Sequence, residues 1–271
     1  MPPPGALDRR TQALLATGVV LLVGFSLYRL VLAPPPGPYI AFSGSSMGTT
    51  WNVKLAGPNL GPDAMRRAGK AIADSLEDVV QRMSTWESES ELSRFNAWQS
   101  TGPFSITAPV VEVLSVAQEV SRKSQGAFDI TVGPLVEAWG FGSRGPVSSP
   151  PSDQAVAELL ERVGYRQLDL DVGGGQVAKQ HPLAEIDVSA LAKGYAVDRV
   201  AEALEALGHK DYLSEVGGEL RARGHKTGGE PWRVAIEEPS EGVRRIHRTL
   251  VLADSGMATS GAVSYTHLTL P

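Results

Sequence analysis

From Ala13 to Leu27 the chain reads ALLATGVVLLVGFSL, with Arg9 and Arg10 before it and PPPGP at 34–38 after it. A charged start followed by an unbroken apolar run is the pattern of a signal anchor, and it removes this stretch from any water-soluble core. We expect a transmembrane segment over 1–33, a stiff Pro-rich linker over 34–40, and a folded domain from 41 onward. The two arginines on the N-terminal side place that end in the cytoplasm and the domain in the periplasm, at the inner membrane.

The remaining sequence shows helix and strand patterns without regular crossover alternation. Trp51, Val53 and Leu55 alternate as in a strand. Met65, Ala68, Ile72, Leu76, Val79, Val80 and Met83 recur at helical spacing after Pro62. A second helix is expected from Ala108 to Ser124, with Thr107 as its cap and Gly126 past its end, and a third after Ser152, stopping near Gly164. Between 165 and 187 short alternating runs, the last of them AEIDVS, read as strands of a meander. A further helix starts near Ser189, and DYLSEV, ELRARG, PWRVAIEE and RTLVLADSGMATS read as strands. This is an α+β chain.

Composition excludes several chemistries. A formal net charge of -5 gives no basic footprint for nucleic acid, and the absence of cysteine rules out disulfides, thiolate metal sites and a Cys nucleophile. The five histidines have no ligand spacing. Gly140–Gly145 spells G-x-G-x-x-G but runs into PVSSPPS instead of opening a helix, so it is not read as a dinucleotide fingerprint.

The joint IDVSALAKGYAVD carries more information. Asp187 and Ser189 suit a helix start and can merely cap it. Lys193 opposes the positive end of the helix dipole, which makes sense if an anion such as a phosphate docks there, and Gly194 beside it permits close approach. Two glycines inside SEVGGELRARG signal a bulge or a close backbone approach.

In collinear order, SMGTTWNV, MSTWESESELSRFN, GAFDITVGPLVEAWGFG, IDVSALAKGYAVDRV, EVGGELRARG and MATSG resemble the FAD:protein FMN transferases, the ApbE-like flavin transferases, over about residues 43 to 261. The resemblance implies the ApbE-like fold over 41–261. It also implies a magnesium-dependent transfer of FMN from FAD to a threonine hydroxyl of an acceptor flavoprotein, with release of AMP. The acceptor is expected to be a subunit of a membrane redox complex. A non-catalytic FAD-binding module or flavin chaperone, or an FAD pyrophosphatase, is the alternative.

By the same resemblance Met47, Trp86, Ala127, Phe128, Asp129, Asp187 and Lys193 match FAD-binding positions, with Trp86 standing where the family usually has tyrosine. Ala190 matches a backbone ligand of Mg²⁺. After MATSG the family's remaining metal ligands and acidic catalytic residue are not found. The segment 262–271 is therefore expected to be a non-native tail on a C-terminally shortened chain, one that would be a poor enzyme as written.

Overall fold

In the computed structural model the described residues are 39–57, 60–238, 245–259 and 267–269. The expected anchor over 1–33 and residues 34–38 of the linker lie outside them, as does most of 262–271. Among the described residues no helix is long and apolar enough to cross a membrane.

The domain opens with a hairpin of β1 (Ile40–Ser46) and β2 (Thr49–Leu55). Its turn is Met47–Gly48, with φ of 54° and 70°, the left-handed pair that a two-residue hairpin turn requires. Helix α1 (Pro62–Met83) follows and buries Ala68, Ile72, Leu76, Val79 and Met83, while Met65 stays exposed. Helix α2 (Glu91–Ala97) is capped by Ser90, whose side chain accepts from the Ser93 N–H. Strand β3 (Phe104–Ser105) leads to α3 (Ala108–Lys123), then a 3-10 turn at Ile130–Val132, α4 (Gly133–Ala138) and α5 (Asp153–Leu160). Strands β4 (Leu168–Asp171) and β5 (Gln176–Lys179) precede α6 (Ser189–Ala206). The chain continues with β6 (Tyr212–Val216), β7 (Glu219–Arg223), β8 (Trp232–Glu237), β9 (Ile246–Leu252), β10 (Ser255–Met257) and β11 (His267–Thr269).

The strands form three antiparallel sheets, ordered β1-β2-β6-β7-β10, β11-β8-β9 and β3-β5-β4. Helices α1 and α6 cover the large sheet and α3 packs against both helices, through one core that includes Ile72, Val79, Leu114, Val200, Leu204, Val53 and Val216. A smaller cluster of Leu213, Leu220, Trp232, Val234 and Leu252 lies between the large sheet and the β8-β9 sheet. The α+β expectation holds.

Two expectations need correction. Ala184–Ser189 is not a ladder strand, although Ala184, Ile186 and Val188 are buried in alternation. The segment is tied by a side chain instead: Asn96 Nδ2 donates to the Ile186 carbonyl at 2.9 Å, and Asn96 Oδ1 accepts from the Ile186 N–H at 2.8 Å. Thr107 does not cap α3 with its side chain. Its N–H and hydroxyl donate to the buried Glu91 carboxylate at 2.6 and 2.8 Å, which joins the start of α3 to the start of α2. The stretch after α1, for which the sequence showed no helical period, contains α2.

Candidate functional site

Trp86 stands on a short loop between α1 and α2 with 66% of its surface exposed, an unusual position for the largest apolar side chain. Ser84 fixes this loop: its Oγ accepts from the N–H groups of Trp86 and Glu87 at 3.1 and 3.2 Å, and its carbonyl accepts from the hydroxyls of Ser90 and Ser93. The indole therefore rests on an ordered support.

Trp86 and Thr85 are shared by two cavities. The larger, about 590 Å³, is lined by Met47, Gly48, Val80, Met83, Ser189, Ala192 and Lys193 among others. The smaller, about 370 Å³, lies toward Asn96, Gly133, Glu137, Arg144, Glu185 and Asp187. An aromatic plate between two hollows suits a ligand with two ring systems joined by a polar link.

Elements distant in sequence bring the larger cavity together. The Met47–Gly48 turn of the first hairpin meets the first turn of α6. The Lys193 ammonium of that helix lies 3.1 Å from Glu219 Oε1 and donates to the Gly217 carbonyl at 3.4 Å. Gly217 has a φ of 57°, and a Cβ there would stand 2.7 Å from the Thr49 side chain and 3.0 Å from that of Lys193. The paired glycines thus mark a close approach between the β6-β7 turn, the hairpin and Lys193. Asp187 Oδ1 accepts from the Ser189 N–H at 2.7 Å, a side-chain turn just ahead of α6, whose N-cap is Val188 with no side-chain cap, so neither Asp187 nor Ser189 takes the N-cap position. The remaining carboxylate oxygen of Asp187 leaves a negative edge on the smaller cavity.

The loop 139–146 closes the far side of the smaller cavity. Glu137 gathers it, accepting from the Ser143 N–H and hydroxyl and from the Arg144 N–H at 2.8, 2.9 and 3.0 Å. Arg144 then reaches Glu185 at 2.8 Å, and this hydrogen bond holds the guanidinium firmly protonated. The G-x-G-x-x-G run is therefore a turn folded around a carboxylate, with no helix N-terminus for a pyrophosphate.

Of the expected flavin residues, Met47, Trp86, Asp187 and Lys193 line the two cavities. Ala127, Phe128 and Asp129 do not. Asp129 Oδ1 accepts from the N–H and hydroxyl of Thr131 at 2.8 and 2.6 Å, and its Oδ2 accepts from the Tyr165 N–H at 2.6 Å, so the side chain braces the 3-10 turn. Ala190 is exposed on the first turn of α6. Among the described residues no group of three or more His, Asp or Glu side chains could hold a metal ion. The Ala190 carbonyl alone does not make a magnesium site, since that ion demands a near-octahedral set of oxygens. Arg144, Glu185 and Asn96 escaped sequence reasoning, and Glu219 was signalled only by the two glycines before it. Only the G-x-G-x-x-G match pointed near the first, and it pointed to the wrong chemistry.

The chain resembles proteins of known sequence and structure along most of its length. The ApbE family profile matches residues 47–267. A FAD:protein FMN transferase of Haemophilus influenzae is 38% identical over 82% of this chain and 65% of its own length. One of Vibrio cholerae is 35% identical over 91% of this chain and 75% of its own. The chain thus spans about two thirds of the length of the curated relatives it matches. Among solved structures, the flavin transferase ApbE from Vibrio cholerae superposes with a TM-score of 0.77 at 35% identity, covering 85% of this chain and 75% of that one. The apo flavinyl transferase ApbE of Pseudomonas stutzeri gives 0.74 at 34%, covering 83% and 68%. With the same fold, the same order of motifs and a match over most of its residues, this chain is a member of the ApbE family.

Proposed function

We propose that this protein binds FAD across the Trp86 plate and transfers its FMN moiety to a threonine hydroxyl of an acceptor flavoprotein, releasing AMP. The observation that carries this reading is the pair of cavities sharing Trp86, with Lys193 bordering one and Arg144 and Asp187 bordering the other. Trp86 offers a face on which a flavin or adenine ring stacks. The Lys193 ammonium, already oriented by Glu219, supplies positive charge to the pyrophosphate, and phosphoryl transfer depends chiefly on such positioning and charge neutralisation. In the step itself the threonine oxygen attacks the phosphorus on the FMN side and the bond from that phosphorus to the bridging oxygen breaks. AMP leaves with that oxygen, and the threonine proton passes to a carboxylate.

The proposal extends to the family's magnesium requirement and to an acceptor in a membrane redox complex. It also places the domain on the periplasmic side of the inner membrane, held by the apolar run at 13–27. The supports for these are the sequence resemblance and the charge pattern around that run.

The test is intact-protein mass spectrometry of a threonine-motif acceptor domain incubated with this protein, FAD and Mg²⁺. The expected result is a mass gain of one FMN with the full-length gene product, lost with EDTA or without FAD, and little gain with residues 39–271 alone. Tight FAD binding with no mass gain would replace transfer by flavin binding, and no FAD binding at all would overturn the reading.

A further inference from the structure

Lys179 is buried to 1% exposure in β5, outside both cavities, yet it lies directly behind the wall of the smaller one. Its Nζ donates to three backbone carbonyls: Phe95 and Asn96 at 3.2 Å each, and Ala184 at 2.9 Å. The first two belong to the last turn of α2, at the negative end of the helix dipole, where the Phe95 carbonyl also accepts from the Trp98 N–H at 3.1 Å. The third begins the segment that carries Glu185, Ile186 and Asp187. Beside this clamp Asn96 grips both backbone groups of Ile186, and the Asp187 N–H donates to the Ile130 carbonyl at 2.7 Å. Asp187 and Glu185 thus reach the cavity on a stretch of irregular chain that is hung from Lys179, Asn96 and Ile130.

We infer that Lys179 is a positioning residue for the nucleotide site, its three-carbonyl clamp setting where Asp187 and Glu185 face the ligand. The inference rests on the flavin-nucleotide reading of that cavity. A buried ammonium in this place has a second consequence. Burial pulls the Lys179 amine down from 10.5 to about 8, against the opposing pull of the Glu185 carboxylate, the charged side chain that acts on it. An ammonium has three N–H donors for the three carbonyls, whereas the neutral amine has two. Above pH 8 one carbonyl loses its partner and the wall loosens.

Stability responds in the opposite sense. Between about 8 and 10.5 the unfolded chain holds a proton on this lysine that the folded chain has released, so this group's contribution to stability rises with pH across that window. A merely structural role would move ligand affinity and melting temperature together. A positioning role separates them.

The experiment measures FAD affinity, melting temperature and hydrogen-exchange protection of the Ile186 and Asp187 amides from pH 7 to 9.5, in the full chain and in Lys179→Met. In the wild type, FAD binding is expected to weaken about tenfold through the window while the melting temperature does not fall in step, and protection of the two amides to drop in the ligand-free protein. Lys179→Met, of similar length and without charge, is expected to bind about tenfold more weakly at pH 7 and to show a flat profile. A folded Lys179→Met with wild-type affinity and wild-type Ile186 protection at pH 7 would overturn the inference. If that variant does not fold, constant wild-type protection across pH 8 overturns it equally. A wild type that binds no FAD at pH 7 defeats the nucleotide reading instead, and the amide protection still reports on the clamp.

Discussion

Asn96 treats Ile186 as a strand neighbour, giving one hydrogen bond to its carbonyl and taking one from its N–H, at 2.9 and 2.8 Å. A single side chain thereby replaces a stretch of ladder. Asn96→Ala leaves both backbone groups of a buried residue unpaired and is expected to cost about 1–3 kcal/mol for each group that water cannot reach. Asn96→Asp, which sets an acceptor against the Ile186 carbonyl, should be worse than a neutral loss of one bond. Chemical denaturation of the two variants measures both.

Trp86→Ala should leave stability within about 0.5 kcal/mol of the wild type, because the ring is exposed and rests on Ser84 only through its backbone. FAD affinity should fall by the value of a stacked ring, about 1–3 kcal/mol, with most of it restored in Trp86→Tyr. Titration calorimetry beside a thermal melt separates the two effects, and equal loss in both would rule out a stacking role.

Lys193→Ala removes the charge at the mouth of the larger cavity. A charge-assisted contact to phosphate is worth about 1.5–3 kcal/mol, so FAD affinity should drop between ten- and a hundredfold at low salt. The difference from wild type should shrink as salt is added. Unchanged affinity at low salt would take Lys193 out of the site.

Gly133 lies where a Cβ would stand 2.8 Å from the Glu185 carbonyl oxygen, a backbone atom that cannot swing aside. Gly133→Ala is expected to destabilise the fold by about 1–3 kcal/mol and to displace Glu185 and Asp187 with it, seen as a lower melting temperature together with weaker FAD binding.

Acid should weaken the domain partly through Glu205, which accepts from the Tyr212 hydroxyl at 2.5 Å and pairs with Arg223. The Tyr212 hydrogen bond is the largest influence and lowers its carboxyl below the ordinary 4.5; burial opposes it, and the Arg223 and Arg221 contacts add to the lowering. A carboxylate lowered on folding contributes stability that is present above about pH 4.5 and lost as pH falls through its folded value. Glu205→Gln should therefore lower stability at neutral pH and flatten the acid limb, so that variant and wild type converge as pH falls through the folded value.

Much of this was legible in the sequence because it rests on periodicity. The buried face of α1 and the alternation of Val53 and Leu55 follow from where apolar residues recur. The motif order led to Met47, Trp86, Asp187 and Lys193, all of which line the cavities. Ala184–Ser189 shows the limit of that reasoning. Its alternating burial is real, but alternation reports an extended chain and does not say whether the partner is a strand or an asparagine. Helix α2 was hidden because its seven residues offer too few apolar positions for a period to show. Arg144 and Glu185 are 41 positions apart, and no local rule pairs them. Glu219 was visible only through the two glycines before it.

The large sheet places β2 beside β6, with Asn52 opposite Glu215 across 163 positions of chain. Closing a loop of that length is entropically costly and slow compared with forming α1 or the first hairpin. The Met47–Gly48 turn and Lys193 come together across this closure, so ligand binding should be among the last properties to appear during refolding. FAD added to a refolding mixture should be captured no faster than the slowest phase that buries the β2-β6 seam.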